Sequence, residues 1–167
     1  SFLVDVTNFF TYDRNRPLHV FDADKVSGNL RVHLAAGGEE LAALDDKTYR
    51  LEPGMVVISD DAGAQSLGGI MGGAQTGVTE DTVNVFLEAY FDPVRTAYTG
   101  RALKINSDAR YRFERGIDPE WTPEGIEHAT RMILDHAGGE ASKVVVAGHM
   151  PDWKRAFKLD PARVRSL

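Results

Sequence analysis

The chain has 167 residues, 43% of them hydrophobic, which is enough for one well-packed core and short for two domains. Its 25 acidic residues outnumber 19 basic ones and leave a formal charge of −6, which argues against a general nucleic-acid binder, whose affinity rests on broad neutralisation of phosphates. There is no cysteine, so disulfides and thiolate metal sites are excluded, and a reducing compartment fits.

Residues 2–12 place Phe2, Leu3, Val6, Phe9 and Phe10 at near-helical spacing, which predicts a helix with Thr7 and Asn8 on or beside its polar face. Asp13-Arg14-Asn15-Arg16-Pro17 reads as a loop, because Pro17 biases Arg16 away from helix, and Leu18 to Phe21 resume as a short extended segment. Arg31 to Ala35 alternates as a strand, and Leu41 to Leu51, with Asp45-Asp46-Lys47 at its centre, reads as a hairpin. Met55 to Ile58 is a short buried run. The four glycines of Leu67-Gly68-Gly69-Ile70-Met71-Gly72-Gly73 strip side chains from backbone, as either a tight turn or the wall of a ligand pocket requires. Thr82 to Phe91 carries the strongest strand signal.

Pro93 opens a short helix over 93–104. Residues 105–119 pack three arginines, an aromatic pair and a helix-start signal into what reads as a loop, inside a span where Arg95, Arg101, Lys104, Arg110, Arg112 and Arg115 meet only three acids. That span is either a solvated face with structural ion pairs or a local track for RNA phosphates. Thr122-Pro123 caps a longer helix whose apolar positions run from Ile126 to Ala137 and stop at Gly138-Gly139. Val144 to Val146 reads as a last strand, and residues 151–167 as a linker into another module of a longer chain. Strands outnumber helices without alternating strictly with them, so the residues predict an α+β domain over 1–150.

Few residues suggest chemistry by themselves. The five histidines show no metal-ligand spacing, so no metal site is expected. Ala64-Gln65-Ser66-Leu67-Gly68 approaches a nucleophile elbow but lacks its first glycine, and the glycines after Ser66 discourage the helix that should follow. His19 lies between a proline turn and Phe21-Asp22, placed to position a water or an ester. Glu88 follows Val85-Phe86-Leu87 in the most apolar strand, where a carboxylate is costly unless it sits at the rim, is paired, or holds a ligand donor.

The runs Val4-Asp5-Val6-Thr7-Asn8, Pro17-Leu18-His19-Val20-Phe21-Asp22, Leu67 to Gly73, Leu87-Glu88-x-x-Phe91 and 105–119 together resemble the editing module of the phenylalanyl-tRNA synthetase beta subunit, in one unbroken order over roughly residues 2–150. The resemblance implies a three-layer β-sandwich of unusual topology with flanking helices. It also implies post-transfer hydrolysis of Tyr-tRNA(Phe), with Thr7, Asn8 and His19 around the scissile ester, Gly69 shaping the wall, Glu88 reading the tyrosine hydroxyl and Ala109 leaving room for the ring. Arg112, Glu114 and Arg115 are expected to form an ion-pair network.

Partners implied are the tRNA(Phe) 3′ end and a synthetase alpha subunit in an alpha2-beta2 assembly, with neither membrane nor DNA. No cofactor belongs to this segment, since Mg and ATP serve the parent synthetic reaction. No run of about 18 apolar residues appears and the start, which lacks Met and suggests a fragment, shows no signal pattern, so the expected location is cytoplasmic. Asn15-Arg16 stand where Gly-Gln usually precede the Pro-Leu-His run, Ser107 where Thr is usual, Arg110 where a small Ser is usual and Gly68 where Ala is common. The alternative reading is a non-catalytic scaffold or RNA-positioning module, which an Arg110 filling the pocket would favour.

Overall fold

A computed structural model describes residues 1–90 and 92–166. The amphipathic N-terminal run forms α1 (Phe2–Asp13), which hands over through Asn15, at φ 51°, to β1 (His19–Asp22) and a 3-10 turn (Ala23–Lys25). Then come β2 (Arg31–Leu34), β3 (Glu40–Ala42), β4 (Thr48–Arg50), β5 (Val56–Ser59), β6 (Ala64–Leu67), β7 (Met71–Gly72) and β8 (Val85–Glu88). Four helices follow: α2 (Pro93–Ala102), α3 (Asp108–Phe113), α4 (Trp121–Ala137) and α5 (Pro161–Arg165).

The strands make three antiparallel groups. β1 pairs with β8, β3 with β4, and a four-stranded sheet has the order β2-β5-β6-β7. Mixed helices and antiparallel sheets bear out the α+β expectation. Both faces of β5 are covered, with Val57 in a core of Leu41, Leu51, Met55, Leu67, Ile70 and Ile105 and Val56 in a second with Tyr90, Phe113 and Ile117. Burial on two faces explains why this strand reads as a continuous apolar run.

A third core joins α1 to α4. Val6, Phe10 and Ala129 pack together, with Leu18, Leu87 and Trp121 against them, and the Phe10 and Trp121 rings stack at 6.4 Å. Leu87 therefore points from β8 towards the helices, and by strand alternation its neighbours Phe86 and Glu88 face the other way. Truncating Phe10 to Ala would open this joint at a cost of about 3–5 kcal/mol.

Several expectations need correction. Val144 to Val146 forms no strand: 138–160 holds neither helix nor strand, and Val145 is 85% exposed. β-branched residues favour a strand only when a ladder partner takes their backbone groups, and none of the described strands does. β8 spans only Val85–Glu88 of the longer run read as strand, and Phe91 lies outside the described residues. Part of 105–119 is helical, since Ser107 caps α3 through Arg110 N. The cap of α4 is Glu120, not Thr122, and makes no side-chain cap bond. β2 is a strand at the edge of its sheet, but all four of its residues are exposed, so its alternation marks no buried face. The glycine run is a tight β6–β7 hairpin in which Leu67 pairs with Met71 and Gly69 adopts φ 69°.

Candidate functional site

β1 and β8 run antiparallel with His19 directly opposite Glu88, so both side chains project from one face of the ribbon. Phe21 and Phe86 extend that face one pair further, their rings edge-on at 6.3 Å. The His19 ring stands edge-on to Phe21 at 4.3 Å and covers Gly72 of β7 so closely that a Cβ there would overlap it. Burial holds the imidazole down at about 4, so at neutral pH it is uncharged, and its Nε2 is buried with no partner among the described residues.

Glu88 is half-buried, and none of the described residues donates a hydrogen bond to its carboxylate. Burial pushes its pKa up to about 7, while the positive field of Arg16 pulls the other way. Arg16 is 1% exposed. Its Nη1 donates to Tyr90 O at 3.2 Å and its Nη2 to Asp118 O, and burial lowers its pKa to about 10, so it remains a cation. The side chain opposite Glu88 is thus a neutral ring, and the nearest influential charge is a buried guanidinium.

A second cluster meets the first at the β6–β7 turn. A Cβ at Gly69 would press on Thr96, Phe113 and Tyr90, and Ala109 packs on the core of Val56, Tyr90, Phe113 and Ile117. Ser107 Oγ donates to Ile70 O at 2.7 Å and so pins the start of α3, with Ala109, against that turn. Gly69 and Gly72 are three residues apart, which makes the turn the junction between Ala109 and His19. The Tyr90 hydroxyl is buried without a partner, and burial, with Asp92 and Glu88, raises its pKa.

Thr7 and Asn8 stand apart from these groups. Thr7 Oγ1 donates back to Val4 O at 2.9 Å within α1, while Asn8 is exposed. No hydrogen bond among the described residues joins either to His19, Glu88, Gly69 or Ala109. Arg110 does not fill the space beside them: its guanidinium turns onto α2, donating to Gly100 O at 3.1 Å and pairing with Glu114 at 3.0 Å. The expected network differs in its members, since Glu114 joins Arg110 and Arg115, whereas Arg112 pairs with Asp108 at 3.1 Å. Tyr12 Oη donates to Asp108 at 2.8 Å and ties α1 to α3.

A groove of about 2570 Å³ runs between β2, β8 and α4, with residues 138–153 along its far side. Glu88 lines it together with Val32, Leu34, Phe86, Tyr90 and Ile117, and the other five predicted site residues do not. Such a volume far exceeds the roughly 300–1,000 Å³ of a fitted small-molecule pocket, so the ladder and the turn locate the site better than the groove does. No group of acidic or histidine side chains among the described residues is arranged to hold a metal ion.

Sequence reasoning placed Asn15-Arg16 at the border of the pocket but did not show Arg16 as a buried cation, and it missed Tyr90 and Gly72 as members of this cluster. Arg16 precedes a proline in a charged loop, a setting that reads as solvated. Tyr90 lies two residues beyond Glu88 and so shares its strand face, a signal available from alternation.

The model of the B3/4 domain matches residues 1–138. This chain belongs to the B3/4 domain family. Across its full length the B3/4 chain is 72% identical to the phenylalanine–tRNA ligase beta subunit of Ruegeria pomeroyi and 64% identical to that of Cereibacter sphaeroides, in each case covering 21% of the relative. The same subunit of Paramagnetospirillum magneticum is 60% identical over the same shares. The chain thus spans about a fifth of the length of these curated relatives. A solved N-terminal fragment of the phenylalanyl-tRNA synthetase beta subunit from Pyrococcus horikoshii shares 20% identity at a TM-score of 0.44, covering 51% of this chain and 32% of that one. No helix of the described residues is long and apolar enough to cross a membrane.

Proposed function

We propose that this B3/4 domain removes tyrosine wrongly esterified to tRNA(Phe), acting within a phenylalanyl-tRNA synthetase. The observation that carries the reading is the cross-strand pair His19–Glu88, a carboxylate that none of the described residues supplies with a donor, facing the same way as a neutral imidazole with a free nitrogen. A synthetic pocket for phenylalanine rejects an isostere with one added hydroxyl only about 100-fold, so a second sieve is needed. The phenol O–H of a tyrosyl ester gives Glu88 its missing donor. A phenylalanyl ester leaves the carboxylate desolvated and unpaired, at a cost of about 1–3 kcal/mol or more.

In this reading His19 orients the ester or its water. A conjugate acid near 4 makes it a weak base, so hydrolysis rests on a positioned water, backbone donors and the vicinal ribose hydroxyl, with no covalent intermediate. Gly69 and Ala109 form the wall that admits the ring, and Thr7 and Asn8 meet the terminal adenosine once Thr7 releases Val4 O. The β1–β8 ribbon and the four-stranded sheet then serve as the leaves of a sandwich flanked by helices. The domain occupies 1–150, with 151–167 leading into the next module. The parent works in the cytoplasm as an alpha2-beta2 assembly whose alpha subunit charges tRNA(Phe) using Mg and ATP.

The test is deacylation of Tyr-tRNA(Phe) and Phe-tRNA(Phe) by the whole synthetase that carries this domain and by its Glu88→Ala variant. The expected result is rapid hydrolysis of the tyrosyl ester, with a Tyr-over-Phe preference that falls about 10- to 100-fold in the variant. Equal loss on both substrates would make Glu88 a scaffold residue. One observation favours the second reading, a non-catalytic module: the Thr7 hydroxyl is already engaged by its own helix. Absence of deacylation by the unsubstituted synthetase would establish that reading.

A further inference from the structure

Arg16 is the one charged side chain among the described residues buried to 1%, and no carboxylate lies within ion-pair distance of it. Enclosing a guanidinium without a countercharge costs several kcal/mol unless its hydrogens find acceptors. Here backbone carbonyls supply them: Tyr90 O, two residues beyond Glu88, and Asp118 O on the segment entering α4. Gly125 of α4 leaves room for its stem, since a Cβ there would sit 3.0 Å from Arg16 Cγ. Arg16 N also donates to Phe10 O at 2.9 Å, which fastens the residue to the end of α1. The residue is held from four directions, three of them through its side chain, yet its charge has no ion-pair partner among the described residues.

Two acids feel that charge, Asp118 and Glu88. The Asp118 carboxylate accepts from Glu120 N at 2.9 Å and turns into its own loop. Glu88 has no such commitment. Around it, β1 contributes the neutral His19, the segment after β8 the Tyr90 phenol with Asp92 beyond, and the groove that Glu88 lines also carries Arg31 of β2, Glu114, Arg115, Lys143 and Arg155. Among the described residues Arg16 is the cation whose field acts on the carboxylate, and that field opposes the burial that would otherwise neutralise it.

We propose that Arg16 is a specificity-determining positioning residue, a fixed buried cation that favours the carboxylate form of Glu88 and so lets the site tell a phenolic side chain from an unsubstituted aromatic ring. The inference rests on the reading of Glu88 as the hydroxyl acceptor. A neutral carboxylic acid faces a bare ring at far lower cost than a carboxylate does, so loss of the cation erodes discrimination: the phenylalanyl ester is spared less and the tyrosyl ester loses part of its advantage. Arg16 touches no reacting atom in this scheme and acts through Glu88.

The experiment measures the ratio of Tyr-tRNA(Phe) to Phe-tRNA(Phe) deacylation against pH in the whole synthetase that carries this domain, for the unsubstituted protein, Arg16→Gln, Arg16→Lys and Glu88→Ala. The unsubstituted ratio should rise through a midpoint near 7, following Glu88. Arg16→Gln should move that midpoint up by about one pH unit and lower the ratio about tenfold near neutrality, with recovery at alkaline pH. Arg16→Lys retains the charge and should keep the original midpoint, even where its melting temperature falls. A folded Arg16→Gln protein with an unchanged midpoint overturns the inference, and so does a ratio lowered equally at every pH. Should the Gln variant not fold, a shifted midpoint in the Lys variant overturns it instead. Collapse of the ratio in Glu88→Ala alongside an unmoved midpoint in Arg16→Gln would sink the role of Arg16 alone. An unaffected ratio in Glu88→Ala would sink the underlying reading as well.

Discussion

Two carboxylates sit inside this domain under opposite terms. Asp60, 2% exposed at the β5–β6 turn, accepts from Ser27 N at 2.8 Å, Ala62 N at 2.8 Å, Gly63 N at 3.1 Å and Gln65 Nε2 at 3.0 Å. Burial pushes that carboxyl up, but the four donors together outweigh it and hold the pKa below its ordinary value. Glu88 is less deeply buried, has no donor among the described residues, and titrates near 7. Depth alone does not separate structural from functional acids. Whether the fold itself supplies donors does, because a carboxylate already saturated has nothing to offer a ligand.

The comparison can be broken most severely at Asp60. Asp60→Ala strands four donors in the interior and should destabilise the domain by about 3–5 kcal/mol, read as a lowered midpoint in denaturant. A change below about 1 kcal/mol would show that water replaces the carboxylate there and that the contrast with Glu88 is not one of saturation.

Glu88→Gln should act in the opposite sense. The folded pKa of Glu88 lies above its ordinary 4.5, so between 4.5 and about 7 the unfolded chain gives up a proton that the native state keeps, and stability falls as pH rises through that window. Removing the acid should stabilise the domain by up to roughly 3 kcal/mol on the alkaline side. His19 works against it lower down. Its folded pKa of about 4 lies below the ordinary 6.5, so its contribution is complete above 6.5 and is lost as pH falls towards 4. The two slopes oppose each other between 4.5 and 6.5. Melting temperatures of the unsubstituted domain should be nearly level there and then decline towards 7, whereas Glu88→Gln should rise to 6.5 and stay level. A Gln variant that melts lower at alkaline pH would mean that Glu88 is paired after all.

His19→Ala should slow tyrosyl-ester hydrolysis about 100-fold and leave the Tyr-over-Phe ratio near its original value, since the proposed function assigns orientation and readout to different side chains. A collapse of the ratio instead would merge the two roles. Ala109→Trp is the smallest perturbation of stability, costing about 1–3 kcal/mol by overpacking its half-buried site, and it should abolish hydrolysis while a cooperative melt persists. Persistent hydrolysis in that folded variant would remove Ala109 from the pocket wall.

Periodicity and caps made α1, α2 and α4 legible, and the short buried run of β5 was readable because both its faces are covered. α3 was hidden by its six-residue length, too short for a period to show, though Ser107 offered its capping signal. The tight turn of the glycine run was legible as one of two readings, but the short strands that flank it were not, because glycines carry no alternation. Val144 to Val146 was misread because propensity cannot say whether a partner strand exists. Glu88 stood out as a carboxylate in an apolar strand, and His19 by the motif around it. Arg16 could not be seen as buried, because the carbonyls that hold it lie 74 and 102 residues away and only the tertiary fold brings them together.

Gly72 gives the His19 ring its seat, and it does so by offering space instead of a bond. Among the described residues nothing hydrogen-bonds the ring's buried Nε2, so the fold does not fix the tautomer through that atom. In the proposed reaction the tautomer is left to the arriving ester and its water. The ring can therefore present either a donor or a lone pair without first surrendering a bond to its own fold.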